Sequence, residues 1–92
     1  MNERIRILYD FISDFWKIIK KYAELPTDQT EWDQLIDEAS ELTRKYRQQA
    51  GDTPETRFFR KCVVDWLEYI SEREIIRINE AEGRSFPDSR PP

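Results

Sequence analysis

The chain has 92 residues, with 15 Lys and Arg against 19 Asp and Glu for a net charge of −4, and it holds no histidine, two glycines and one cysteine. At 37% charged and 13% aromatic it is too apolar for a disordered chain, and no run approaches the ~20 apolar residues of a bilayer span. Without imidazole there is no Ser–His or Cys–His nucleophile, a lone cysteine cannot supply a zinc site, and the scarcity of glycine excludes a phosphate-cradling loop.

Ile5, Leu8, Ile12, Phe15, Ile19 and Tyr22 recur at alternating steps of three and four, which predicts a first helix over about 3–25, stopped by Pro26. Thr30, with acids following it, reads as the N-cap of a second helix over about 31–49. Its stripe is Trp32, Leu35, Ile36, Ala39, Leu42 and Tyr46, and Gly51 is its stop. Thr53 before Pro54 predicts a third helix over 54–81, with Gly83 behind it. Residues 84–92 hold three prolines and read as a flexible tail. Short connections favour antiparallel neighbours. The expected fold is therefore all-α: a single domain over 1–83, an antiparallel up-down-up three-helix bundle with a long third helix. Met1 to Arg4 lack the apolar segment of a signal peptide and a lone cysteine suits a reducing compartment, so a cytoplasmic location is expected.

The width of the apolar stripes is uneven. At about 100° per residue the second helix has a compact stripe of about 120°, enough to pack on two neighbours. The first helix adds Phe11, Ile18 and Leu25 on one side and Tyr9 and Trp16 on the other, so its apolar arc approaches about 200°. The third is wider still between Phe58 and Ile70, with Trp66 expected at the centre of the core. Beyond Ser71 its register breaks: Ile75, Ile76 and Ile78 leave the stripe, while Arg73 and Arg77 fall on the former core side. If the large aromatics simply fill a small core, Tyr9 and Tyr69 sit at its edge. Alternatively, Tyr9, Trp16, Tyr69, Ile75 and Ile78 form a surface that binds another protein or a second copy of the chain.

Charge is segregated too. Residues 42–63 carry six cations against two acids, whereas the segments on either side are acidic. Acids at helix starts and bases at helix ends complement the helix dipole, which explains much of the pattern. The remainder leaves a basic pole of Arg44, Arg47, Arg57, Arg60 and Lys61, an alternative site for nucleic-acid contact. A helix-turn-helix with Thr53, Thr56, Arg57, Arg60 and Lys61 opening its recognition helix does not fit. Placing Gly51 at the turn puts Arg47 where a small residue belongs and Arg57 where an apolar one does.

Catalytic and cofactor chemistry finds no constellation, so the chain is expected to be neither an enzyme nor a cofactor carrier. The spacings Glu38–Glu41 and Glu68–Glu72 lack the Glu-x-x-His pairing of a di-iron bundle, and Cys62 lies among Phe58, Phe59 and Val63, where a buried thiol is expected. Three phrases are spread along most of the chain: Asp14-Phe15-Trp16-Lys17-Ile18-Ile19-Lys20-Lys21-Tyr22, Glu31-Trp32-Asp33-Gln34-Leu35 and Asp65-Trp66-Leu67-Glu68-Tyr69-Ile70. They resemble small helical accessory proteins of prophage and conjugative elements in Gram-positive gut bacteria. That resemblance implies a mobile-element protein, a group that includes inhibitors of host defence nucleases such as anti-CRISPR proteins. It assigns a role to no residue.

Overall fold

Each helix starts where a side chain satisfies amides that have no partner within the helix. The computed structural model describes residues 2–83 and contains α1 (Glu3–Lys21), α2 (Gln29–Ala50) and α3 (Pro54–Ala81), with no strand among the described residues. Asn2 opens α1, its Oδ1 accepting from the amides of Arg4 at 2.7 Å and Ile5 at 3.3 Å. For α2 the expected cap was Thr30, but Asp28 takes the position. Its Oδ1 accepts from the Glu31 amide at 2.9 Å, while the Glu31 carboxylate reaches back to the Thr27 amide at 2.7 Å and hydroxyl at 2.9 Å. These reciprocal bonds draw Thr30 into the first turn. Thr53 caps α3 as expected, and Thr56 completes the box by accepting from the Thr53 amide at 2.9 Å.

The ends follow the same logic. Gly51 closes α2 at a φ of 76°, a left-handed conformation suited to glycine, with its amide bonded to the Arg47 carbonyl at 2.7 Å. The first helix ends at Lys21, short of the expected Leu25. Tyr22 leaves the helical path and donates its hydroxyl to Glu38 Oε2 at 2.6 Å, an oxygen that also receives Lys21 Nζ at 2.7 Å. This polar clasp ties the end of α1 to α2 before Pro26 is reached.

The core is aromatic. Phe11 and Phe59 stack with centroids 4.0 Å apart and planes 6° from parallel, and Tyr46 meets both edge-on at 5.6 and 5.5 Å. Phe15 lies beside Phe11 and meets Trp66 edge-on at 5.8 Å. Leu35, Ala39, Leu42, Val63 and Ile70 complete the buried set with Tyr22. Trp66 is buried, although the centre belongs to the Phe11–Phe59–Tyr46 trio. Aromatic pairs in these geometries contribute about 0.5–1.5 kcal/mol beyond the area they bury.

Two expectations about faces are corrected by this packing. On α1 the inward row is Phe11 with Ile7, Phe15, Ile18 and Tyr22, whereas Ile5 and Ile12 are exposed. The stack of Phe11 on Phe59 turns the helix so that the row expected at the flank faces inward. On α2, Ile36 lies outside the core stripe and is exposed.

The third helix is continuous past Ser71 and, at ~1.5 Å per residue, six residues longer than α2 means about 9 Å of extra length. Arg73 explains part of the register break: its guanidinium donates to the Ala23 carbonyl at 3.3 Å, just past the end of α1. Arg77 instead pairs twice with Glu74, at 2.7 and 2.8 Å. The tail expected over 84–92 lies outside the described residues. Among the described residues no helix is long and apolar enough to cross a membrane.

Candidate interaction face

One side of α3 runs along α1. Arg4 Nε lies 3.6 Å from Glu55 near the start of both helices, Phe15 meets Trp66 midway, and Arg73 reaches Ala23 at the far end. Glu55 and Arg73 are 18 residues apart, about five full turns, so they mark the same side of α3. On α1, half-buried Leu8, Phe15 and Ile19 face this seam. Outside them stand Ile5, Tyr9, Ile12 and Trp16, at steps of four, three and four that place them in one row. All four are more than half exposed, Tyr9 at 66%.

The matching row on α3 holds Phe58, Tyr69 and Ile76, separated by eleven and seven residues and all exposed, with half-buried Cys62 between them. The two rows therefore border a single seam, and seven large apolar side chains share one side of the molecule. Two cations sit over its rings: Lys20 Nζ is 5.9 Å from the Trp16 ring and the Arg73 guanidinium 5.6 Å from the Tyr69 ring.

Of the five residues expected to bind a partner, the structure brings together three. Tyr9, Trp16 and Tyr69 lie on this face. Ile75 and Ile78 are exposed but turned away from Tyr69 by about 120° and about 180° around α3, Ile75 on the side of Val64 and Leu67. Ile5 and Ile12 belong to the face although the sequence pattern assigned them to the core. An α1 stripe with apolar rows on both flanks gave no signal for which one turns inward.

The basic pole also converges in part. Arg44, Arg47, Arg57 and Arg60 line a depression between α2 and α3 together with Ser40, Thr43, Asp52 and Thr56, whereas Lys61 stands outside it. Arg44 is paired with Glu41 at 2.6 Å and Arg57 with Asp52 at 3.0 Å. Among the described residues Arg47 and Arg60 make no ion pair.

Titratable groups elsewhere serve the fold. Burial raises Asp14, but bonds from Lys45 at 2.8 Å and the Tyr46 hydroxyl at 2.7 Å outweigh it and hold the carboxyl below its usual range. Glu38 is likewise lowered, burial being outweighed by Lys21 and Tyr22. Burial, then the Glu38 bond, pushes Tyr22 up to about 12, and Tyr46 rises in the same direction through burial and Asp14. Burial and the nearby Asp65 charge raise the Cys62 thiol, the opposite of what a nucleophile needs. No group of three or more His, Cys, Asp or Glu among the described residues is placed to hold a metal ion.

No protein-family model matches the chain, and no curated protein or solved structure is found to be similar to it.

Proposed function

We propose that the chain is a small non-catalytic protein-binding module, an adaptor or inhibitor, whose working surface is the α1–α3 face. Its partner presents an apolar helical surface that can receive Trp16, Tyr9 and Tyr69. The observation that carries this reading is the side of seven exposed large apolar residues, since apolar residues grouped on one surface mark association sites more often than ones scattered singly. Rigid aromatic side chains, two of them beside cations, are the residue types that anchor interfaces. The contact order supports an up-down-up course for the helices: Asp14 with Tyr46, Tyr22 with Glu38, then Arg4 with Glu55 and Ala23 with Arg73. In that course α1 and α3 run side by side in the same direction. A reducing, cytoplasmic setting suits the lone Cys62. Inhibition of a defence nuclease, implied by the resemblance to mobile-element proteins, is one form this binding takes.

The test compares immobilised wild type with Trp16→Ser, Tyr69→Ser and Ile36→Ser as baits, the last being an exposed apolar residue on α2. Specific capture, of another protein or of free chain, is expected to be lost for the first two and kept for the third. Equal capture by all four proteins contradicts the reading.

One observation favours a second reading, nucleic-acid contact at the basic pole: four arginines line one depression and two of them are unpaired among the described residues. It predicts binding that weakens steeply with salt, and charge reversal at Arg47 and Arg60 lowers the salt slope by about one per lost phosphate contact. Fluorescence anisotropy with duplex and single-stranded oligonucleotides at low salt decides it, and an absence of binding there removes it.

A further inference from the structure

We infer that the arginine-lined depression between α2 and α3 is a site for one terminal phosphoryl group, a phosphate monoester dianion held between Arg47 and Arg60. The inference rests on the second reading in taking the depression as an anion site, and it is independent of the α1–α3 face. Arg47 comes from the α2 wall and Arg60 from the α3 wall, so an anion in the depression meets one guanidinium on each side. The other two arginines already have counter-charges, Arg44 in Glu41 at 2.6 Å and Arg57 in Asp52 at 3.0 Å. Among the described residues Arg47 and Arg60 have none. Two uncompensated guanidiniums match the charge of a phosphate monoester, about −1.5 to −2 at neutral pH. The guanidinium fork also suits phosphate, whose oxygens it bonds in pairs. The floor adds no charge: Thr56 is buried and commits its hydroxyl to the Gly51 carbonyl at 2.8 Å.

What selects one phosphoryl group over a nucleic-acid track is the shortness of the cationic stretch. On each wall the two arginines are three residues apart, about 4.5 Å along the helix. On α2, at helical spacing before Ser40, the same side presents Ile36 and Asp33. On α3, past Arg60, it presents Val64 and Leu67 and then Glu68. Asp52, in the turn between the helices, stands at the other end. Sideways, Lys45 is held by Asp14 at 2.8 Å, and Lys61 stands one turn from Asp65. A strand running on from the depression therefore meets apolar and acidic side chains, where further phosphates release no counterions. A strand end or a small ester needs only the one turn that the arginines cover.

The experiment follows amide and arginine side-chain resonances of the isotope-labelled full chain at low ionic strength. The probes are inorganic phosphate, dimethyl phosphate, and a short single-stranded oligonucleotide with and without a terminal phosphate. Arg47→Gln, Arg60→Gln and Lys61→Gln are compared with wild type, and circular dichroism controls for folding, which these exposed positions are expected to preserve. Inorganic phosphate is expected to shift Ser40, Arg47 and Arg60 saturably, and dimethyl phosphate, a monoanion, to bind at least about tenfold more weakly. Arg47→Gln and Arg60→Gln are each expected to weaken phosphate binding about tenfold or more, and Lys61→Gln less than about twofold. Two results support the inference and name the source. A strand bound about tenfold more tightly with its terminal phosphate than without it is held by its end. Indifference to that phosphate, with inorganic phosphate still bound, assigns the site to a small free ester. The absence of a saturable shift with phosphate overturns the inference, as does equal affinity for dimethyl phosphate or an equal loss in Lys61→Gln. If phosphate does not bind while both oligonucleotides do, with steep salt dependence, the inference fails and the nucleic-acid reading survives. If nothing binds, both fail.

Discussion

Phe11 and Ile12 are sequence neighbours with opposite fates, and truncating each to alanine measures how α1 is turned. Phe11 is buried, stacked on Phe59 at 4.0 Å and met edge-on by Tyr46 at 5.6 Å, whereas Ile12 is 56% exposed. Removing a buried phenylalanine costs about 3–5 kcal/mol through lost transfer energy and the cavity left behind. Fully burying an isoleucine contributes about 1.5–3 kcal/mol, so a side chain left mostly in water loses about 1 kcal/mol or less. A chain of this length has roughly 5–14 kcal/mol of stability, so Phe11→Ala removes a large share of it and Ile12→Ala does not. With a urea slope of about 1–2 kcal/mol/M, the midpoint of Phe11→Ala moves down by about 1.5 M or more and that of Ile12→Ala by less than about 1 M. Equal shifts, or a larger one for Ile12→Ala, would show that Ile12 faces the core and would remove the α1 half of the proposed surface.

The two tryptophans extend the same test: Trp66→Ala is expected to cost about 3–5 kcal/mol and Trp16→Ala about 1 kcal/mol or less, read from urea melts. Stability is expected to have two pH limits, read as Tm against pH. Asp14 and Glu38 are depressed in the fold, so their contribution is complete above the unfolded carboxyl values near about 4 and is lost as pH falls through the folded ones. Tyr22 and Tyr46 are raised, so theirs is complete below about pH 10 and is lost as pH climbs toward 12. Tyr46→Phe is expected to shrink both limbs, since it removes one raised phenol and leaves Asp14 to Lys45 alone. Cys62 is expected to react with a thiol reagent at neutral pH far more slowly in the folded than in the urea-unfolded protein, and equal rates would contradict its burial-raised thiol.

Much of the fold was legible because local chemistry left few choices. Pro54 behind Thr53 and the glycine at 51 punctuate the chain between α2 and α3, and both do what their backbone preferences dictate. The α2 stripe is narrow enough that Leu35, Ala39, Leu42 and Tyr46 had one way to face, although Ile36 at its edge did not follow. Local signals failed where two options were equally good. Asp28 and Thr30 are both competent caps, and the return bond from Glu31 to Thr27 decides between them. Apolar rows lie on both flanks of α1, and only the fit of Phe11 against Phe59 and Tyr46 picks the inner one. That long-range choice also fixes the candidate face, because the row left outside supplies its α1 half. Tyr9, Trp16 and Tyr69 could be read as outward from spacing alone. Ile5, Ile12 and Phe58 could not, and Ile75 and Ile78 were grouped with Tyr69 as apolar residues beyond the register break, although their spacing already sets them about 120° and about 180° from it around α3.

A dilution series followed by amide resonances of isotope-labelled protein tests most directly whether the α1–α3 side binds a second copy of the chain, the form of the account that needs no other component. From millimolar to low micromolar concentration, Ile5, Tyr9, Ile12, Trp16, Phe58 and Tyr69 are expected to shift together, while Ile36 on α2 and Arg47 and Arg60 in the arginine-lined depression stay fixed. Spectra that do not change with concentration, or changes centred on Ile36 or on the arginines, would contradict it.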